Sequence, residues 1–134
     1  NIMGATRTTA LNELNIRGLA TVTGASTTVV PSDSGIFFVS AATGAHVFTL
    51  PAVADCAGKM FFFINRVNYN MTVQTATAST SLDKMVTFND ATADKVAFST
   101  ASGKIGGAIQ ILGDGSYYYA LNISAGTNTI TVTS

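Results

Sequence analysis

The fold of this chain is decided by one stretch, KMFFFINR, at residues 59–66. Its apolar run, Met60 to Ile64, has the length of a strand and falls far short of the ~18 residues that a membrane-spanning helix needs. Successive side chains of a strand point to opposite faces of the sheet, so this strand is apolar on both faces. We expect one face to lie in the core and the other to be covered by a second sheet, the N-terminal segment or a neighbouring subunit.

Similar short apolar runs recur along the chain on both sides of this stretch, separated by clusters of Gly, Asn, Asp, Ser and Thr. The recurrence is typical of all-β domains, and no long apolar stripe at helical spacing competes with it. The clearest turn is Gly113-Asp114-Gly115, which predicts a hairpin. We predict strands over residues 28–30, 36–40, 46–50, 59–66, 71–75, 84–88, 95–99, 108–112, 117–123 and 129–133.

Alternation within several of these runs predicts which strand face belongs to the core. The predicted fold class is all-β: an antiparallel β-sandwich or barrel, jelly-roll-like, in residues 28–134, preceded by an N-terminal arm in residues 1–27. The side chains expected on core faces are Phe48 with Leu50, Val86 with Phe88, Val96 with Phe98, and Tyr117 with Tyr119, Leu121 and Ile123.

The arm has a composition of its own. Leu11, Leu14 and Ile16 are too apolar for a segment that stays in water. One or two helical turns and an extended arm are both open, because the stretch is short and lacks a capping box. We expect these three residues to dock on the chain's own β domain or on a neighbouring subunit.

Three consecutive tyrosines give the most pointed aromatic feature, because alternation puts Tyr118 on the face opposite Tyr117 and Tyr119. Exposed tyrosines suit protein contacts or stacking on sugars, since the ring is amphipathic and has few rotors to freeze. A strand buried on both faces is the alternative. We assign Tyr118 to a subunit interface, together with Phe61 and Phe63.

Charge is scarce in this chain: 10% of the residues are charged, 47% are hydrophobic, and the formal net charge is zero. A typical soluble domain is about a quarter charged. Without a cluster of Lys or Arg, neither nucleic acid nor an anionic membrane is expected as a partner. A surface with so few charges resists association poorly, so we expect an oligomeric or assembled protein.

The side chains that usually carry chemistry are few. Cys56 is the sole cysteine and His46 the sole histidine, so the chain can form neither an internal disulfide nor a two-histidine metal site. Hydrolysis by His46 beside a serine or Cys56 is one hypothesis, but no nucleophile motif accompanies it. The acids are scattered without the spacing of paired catalytic carboxylates or of a calcium loop. We predict no enzyme activity, no catalytic residue, no metal and no cofactor.

Three short segments carry a resemblance to a known group of proteins. They are Asp33-Ser34-Gly35-Ile36-Phe37-Phe38-Val39, the turn Thr43-Gly44-Ala45 and the return run Phe48-Thr49-Leu50-Pro51. Together they are similar to a pattern in small virion proteins of tailed bacteriophages, namely capsid decoration (cement) proteins and some tail proteins. The aromatic stretch 59–66 and the Gly-Asp-Gly hairpin also fit, and the likeness covers residues 28–75 best.

The resemblance implies a β domain on the outer surface of a virion capsid, bound to the major capsid protein and to itself as a homotrimer. We therefore expect a viral structural protein that decorates and stabilises a phage capsid through non-covalent contacts. The alternative is a phage tail or tail-fibre module, or a carbohydrate-binding module, that uses Tyr117 to Tyr119 and loop residues such as Asn68 and Asn70.

Overall fold

Alternating apolar residues separated by turn-forming clusters give this chain an all-β structure. The computed structural model describes residues 20–22, 26–40, 43–76, 83–87, 89–124 and 130–134. Short 3-10 turns at Pro31–Asp33 and Val53–Asp55 lie in the connections. Within these ranges the strands are β1 (Ala20–Val22), β2 (Ser26–Thr28), β3 (Gly35–Val39), β4 (His46–Thr49), β5 (Met60–Asn65), β6 (Met71–Gln74), β7 (Met85–Thr87), β8 (Asp90–Ala93), β9 (Lys95–Phe98), β10 (Ala108–Gly113), β11 (Tyr118–Asn122) and β12 (Thr131–Thr133).

The strands form two mixed sheets that pack face to face and do not close into a barrel. The large sheet has seven strands in the order β1-β3-β5-β10-β11-β7-β8, and the small sheet has five in the order β12-β9-β6-β4-β2. The predicted all-β class is confirmed. The predicted hairpin is also confirmed, since β10 and β11 pair antiparallel from Gly113 and Tyr118 onward, and Gly115 supplies the positive φ of +92° in their turn.

The first six strands alternate between the sheets. β1, β3 and β5 lie side by side and parallel in the large sheet, and β2, β4 and β6 do the same in the small one. The chain therefore passes from one sheet to the other between successive strands instead of turning back within a sheet. The later strands close the sheets mainly by antiparallel pairing, with β10 next to β5 and β9 next to β6.

This winding corrects the predicted antiparallel, jelly-roll-like arrangement. Jelly rolls are built from antiparallel strands, whereas five of the ten pairings among the described strands are parallel. The physical reason lies in the connections: when successive strands lie in opposite sheets, the strands two apart in sequence run in the same direction and become neighbours.

The N-terminal boundary also differs from the prediction. β1 and most of β2 lie within residues 1–27, so residues 20–22 and 26–27 belong to the sheets and not to an arm. Leu11, Leu14 and Ile16 lie outside the described residues, and their docking stays a prediction. The sequence predicts neither β1 nor β8, because short edge strands need no apolar alternation to pair along one side.

The core lies between the sheets and is centred on aromatic rings. Phe37 and Phe63 of the large sheet stack at 5.2 Å between ring centroids, and Phe48 of the small sheet lies 5.5 and 4.5 Å from them. The three rings are at most 4% exposed. Burial of such rings contributes about 25 cal/mol per Å² of apolar surface, which makes this cluster the main tie between the sheets.

Two of the predicted core faces are confirmed and two are wrong. Phe48 with Leu50 and Val96 with Phe98 point into the core. On β7, Met85 and Thr87 point inward and Val86 points outward, while Phe88 lies outside the described residues. On β11, Tyr118 and Ala120 point inward. The face formed by Tyr117, Tyr119, Leu121 and Ile123 is therefore the outer one, and each of these four side chains is exposed.

Candidate functional site: an apolar sheet face

The two sheets differ in the surface that they turn away from the core. On β4, β6 and β9 of the small sheet, most outward residues are polar, and they alternate with buried residues that are apolar except for His46. This is the usual pattern of a sheet with one wet face. The outward residues of these strands are Val47, Thr49, Thr72, Gln74, Lys95 and Ala97.

The large sheet turns an apolar face outward. Its five central strands are β3, β5, β10, β11 and β7, and their outward side chains carry no charge. Except for the amide of Gln110, all of them are apolar or aromatic. We call this surface the platform, and it consists of Ile36, Phe38, Met60, Phe62, Ile64, Val86, Ala108, Gln110, Leu112, Tyr119 and Leu121.

Strand register makes the platform continuous. Along the middle row, Ile36 lies opposite Phe62, Phe62 opposite Gln110, and Gln110 opposite Leu121. Side chains directly opposite each other on neighbouring strands are about 4.5–5.5 Å apart at Cβ, so the members of a row touch. Two flanking rows repeat the arrangement, one with Phe38, Ile64 and Ala108 and the other with Met60, Leu112, Tyr119 and Val86.

Much of this apolar surface faces outward without cover from the strands. Met60, Tyr119 and Leu121 are 39%, 37% and 47% exposed, and Ile123 extends the platform past the end of β11. Every strand of the described ranges belongs to one of the two sheets, so none of them lies across this face. Scattered surface apolar residues are ordinary, but a contiguous uncharged field of this kind marks a contact surface.

The hairpin at one end of the platform holds Tyr119 in place. Asp114 Oδ1 accepts hydrogen bonds from the backbone N–H groups of Ser116 and Tyr117 at 2.7 and 2.6 Å, and the Tyr119 hydroxyl donates to Asp114 Oδ2 at 2.7 Å. These bonds, that of the Tyr117 N–H first, hold the pKa of Asp114 below its ordinary value. The bond to Asp114 raises the pKa of Tyr119. The platform thus ends in an aromatic ring that is exposed yet fixed.

Asp114→Asn is expected to lower the pKa of Tyr119 toward the ordinary value of a tyrosine. The substitution removes both the strong carboxylate acceptor of the neutral phenol and the negative charge that opposes the phenolate. The measurement is an NMR titration of the Tyr119 ring carbons, assigned with a Tyr119→Phe sample. An unchanged titration of Tyr119 would show that the carboxylate does not hold this hydroxyl.

The three interface residues assigned from the sequence of the β domain need correction. Phe61, Phe63 and Tyr118 point into the core, and each is 0% exposed. The Tyr118 hydroxyl donates to the backbone oxygen of Pro51 at 2.6 Å, and burial raises the pKa of this tyrosine well above its ordinary value. These side chains therefore hold the sheets together and do not reach a partner.

The residues that can reach a partner are sequence neighbours of those three. Met60 and Phe62 on β5 and Tyr119 on β11 alternate with the buried residues of these strands and therefore point outward, onto the platform. The sequence carries a signal for this surface, because a run of five apolar residues must present some of them outward. It does not say which ones, since both parities of β5 are apolar.

The loop residues named for sugar binding do not join the tyrosines in one site. Asn68 and Asn70 follow the carboxyl end of β5, whereas Tyr117 and Tyr119 lie beside its amino end, where Leu112 pairs with both Met60 and Tyr119. With a rise of about 3.3 Å per residue, the six residues of β5 separate the two groups by roughly 17 Å.

The side chains considered for hydrolysis are enclosed in the core. His46 and Cys56 are 0% exposed. The ring of His46 shares a hydrogen bond of 2.8 Å between Nε2 and Thr27 Oγ1 and packs 4.7 Å from the ring of Phe48. A substrate does not reach a fully enclosed ring, so this arrangement gives the hydrolase hypothesis no support.

The described ranges hold no group of three or more His, Cys, Asp or Glu side chains placed to bind a metal ion. In the same ranges, no helix has the length and apolar character needed to cross a membrane.

Comparisons with models of protein families, with curated proteins and with solved structures gave no match to this chain.

Proposed function

We propose that this chain is a structural protein of a tailed-phage virion that decorates the outer surface of the capsid and stabilises it by adhesion. The observation that carries the proposal is the platform, an uncharged apolar face on a domain whose other sheet turns mostly polar side chains outward from β4, β6 and β9. Apolar surface gains about 25 cal/mol per Å² when it leaves water, so such a face stabilises an assembly without any chemistry.

The motif residues that resemble those of decoration proteins also support this proposal. Asp33 to Val39 leads into and includes β3, Thr43 to Ala45 precedes β4, and Phe48 to Pro51 covers the end of β4 and the two residues after it. This unit carries the chain from the large sheet to the small one and places Ile36 and Phe38 on the platform. The segment that resembles phage proteins therefore helps to build the contact surface.

In this proposal the chain works with partners of two kinds. It associates with copies of itself, as a homotrimer in line with the proteins it resembles, and it binds the major capsid protein. Leu11, Leu14 and Ile16 of the N-terminal segment dock on the β domain or on a neighbouring subunit. No catalytic step and no cofactor takes part.

Phe62→Lys is expected to weaken binding to the capsid at least tenfold. Phe62 lies beside Gln110 near the centre of the platform, and a lysine there both removes an apolar contact and brings a charge into the contact region. A loss of about 1.4 kcal/mol already corresponds to a tenfold change in affinity. The measurement is co-sedimentation of the fluorescently labelled protein with capsids of the source phage prepared without it.

The matched control is Thr72→Lys, which places the same charge on the outward face of the small sheet. This variant is expected to bind capsids as the wild type does, and circular dichroism of both variants checks that they fold. Equal binding by Phe62→Lys and the wild type would exclude the platform as the adhesive surface. Failure of the wild type to bind capsids would exclude decoration itself.

A second candidate function, a carbohydrate-binding module of a phage tail or tail fibre, is favoured by the two exposed tyrosines at the platform's end. Tyr117 and Tyr119 lie two residues apart on one face, and the hydroxyl of Tyr119 is fixed by Asp114. Rigid exposed rings of this kind suit stacking on sugars. A glycan array probed with the wild-type chain separates the candidates, since the decoration function requires no glycan.

A further inference from the structure

Gln110 stands at the centre of the platform. Its strand, β10, is the fourth of the seven strands in the large sheet, and Gln110 lies in the middle of Ala108–Gly113. Phe62 on β5 and Leu121 on β11 flank it. Apart from the ring hydroxyl of Tyr119, the Gln110 amide is the one hydrogen-bonding side chain of the platform. It therefore lies at the point that a partner covering this face buries most deeply.

The amide of Gln110 is poorly satisfied within the chain. It is half-buried, and among the described residues its side chain has one partner, Met60 Sδ, to which Nε2 donates at 2.8 Å. A thioether sulfur is a weak acceptor, and the carbonyl Oε1 receives no donor from the described residues. An apolar partner would bury this amide without compensation, which is unfavourable because the amide loses its hydrogen bonds to water and gains none. The partner should therefore offer both a donor and an acceptor at this point.

Another copy of the same face offers both groups, because an amide donates through nitrogen and accepts through oxygen. In a twofold dimer, identical patches meet at the axis, and in a trimer whose members turn the same face toward the threefold axis, the centre of each face also lies at the axis. In both arrangements a residue at the centre of the patch lies next to its own equivalents. We propose that the platform is covered by another copy of this chain, with the Gln110 side chains of the copies hydrogen-bonded to one another at the axis. This inference rests on the proposed adhesive function and names the partner of its contact surface: the platform joins the copies, the joined copies bind the capsid through their remaining surfaces, and a charge at Phe62 weakens capsid binding because it separates the copies.

The size and charge of the platform suit this partner. The eleven platform positions each occupy about 4.8 Å across the strands and about 6.8 Å along them, which gives roughly 360 Å² in projection for each copy. Two copies therefore bury roughly 720 Å² in projection, a size that suits a weak, reversible self-association. Because no platform side chain is charged, identical faces meet without like-charge repulsion. A single polar residue in an apolar contact also fixes the register of the copies.

The test compares Gln110→Glu with Gln74→Glu. Both make the same nearly isosteric change on an outward, half-buried position, but Gln74 lies on the small sheet, where its Nε2 donates to Thr49 Oγ1 at 3.1 Å. At pH 7.5, Gln110→Glu places like charges against each other at the axis and is expected to raise the dissociation constant of self-association at least hundredfold. Gln74→Glu is expected to associate as the wild type does.

Sedimentation equilibrium of the full chain over a range of concentrations gives the masses. The inference expects two or three times 13.8 kDa for the wild type and Gln74→Glu, and 13.8 kDa for Gln110→Glu with an unchanged circular dichroism spectrum. A monomeric wild type, as when the chain's own residues 1–19 cover the platform, overturns the inference, and so does a Gln110→Glu variant that associates normally. A wild type that is monomeric yet binds capsids leaves the proposed function standing, whereas an oligomer that binds no capsid removes the proposed function alone.

Discussion

Phe63→Ala is expected to lower the free energy of unfolding by about 3–5 kcal/mol, whereas Phe62→Ala lowers it by about 1 kcal/mol. Phe63 is fully buried between Phe37 and Phe48, with ring centroids 5.2 and 4.5 Å away, so its removal leaves a cavity at the centre of the core. Phe62 is the next residue of the same strand and points outward, where truncation leaves no enclosed cavity.

The measurement is urea unfolding followed by circular dichroism, with the midpoint converted to a free energy through the slope of the transition. The two variants carry the same change one residue apart, so each is the other's control for the propensity of β5. Because self-association would stabilise the folded chain, both are compared at several protein concentrations and extrapolated to the monomer. Equal losses at the two positions would mean that the two faces of β5 are equally buried, and a larger loss at Phe62 would mean that the inward and outward faces have been assigned the wrong way round.

The strands themselves could be read from the sequence because they depend on local chemistry. The hairpin at Gly113 to Gly115 needs only turn formers between two apolar runs, and the strand at residues 46–50 needs only an alternation that ends at a proline. The observed strands β4 and β10 begin at the predicted residues, His46 and Ala108, and end within one residue of the prediction. No information from distant parts of the chain is required for these elements.

The orientation of β5 and β11 could not be read in the same way. Alternation identifies the inner face only when the outer face is polar, and both faces of β5 are apolar. On β11 the larger apolar set points outward, since Tyr118 buries its ring and still satisfies its hydroxyl on Pro51 O. The sequence therefore predicts a surface position for Tyr118, which is buried, and core positions for Tyr119 and Leu121, which are exposed.

The parallel pairing of the first six strands could not be predicted from the sequence, for a different reason. The segment between β3 and β4 carries Thr43-Gly44-Ala45, which the resemblance places as a turn between a strand and its return run, and the predicted sandwich is antiparallel throughout. In the structure the chain crosses at this point from the large sheet to the small one, and β3 pairs instead with β5 through a register running from Gly35 with Phe61 to Val39 with Asn65. Whether a turn closes a hairpin or bridges two sheets depends on which distant strand offers a better partner, and turn residues do not encode that choice.

Gly113→Ala is expected to destabilise the fold by about 3 kcal/mol, because overpacking and lost backbone hydrogen bonds add together. A Cβ at this position would lie 2.3 Å from the backbone oxygen of Cys56, an atom that cannot rotate away. Nor can the strand withdraw freely, since the Gly113 N–H donates to the Lys59 oxygen at 3.0 Å and the Gly58 N–H donates to the Gly113 oxygen at 2.9 Å. Thermal unfolding compared with the wild type measures the loss.

Gly44→Ala is the matched control, because a Cβ there would meet no atom within 4 Å. It is expected to stay within about 0.5 kcal/mol of the wild type, as exposed substitutions do. If Gly113→Ala proves as stable as Gly44→Ala, the loop before β5 does not pack against the end of β10 as described. The result also bears on the contact surface, because this packing places the Asp114 hairpin beside Met60, and that hairpin fixes Tyr119. A chain that must shift at Gly113 is therefore expected to lose order at this end of the platform before it loses its core.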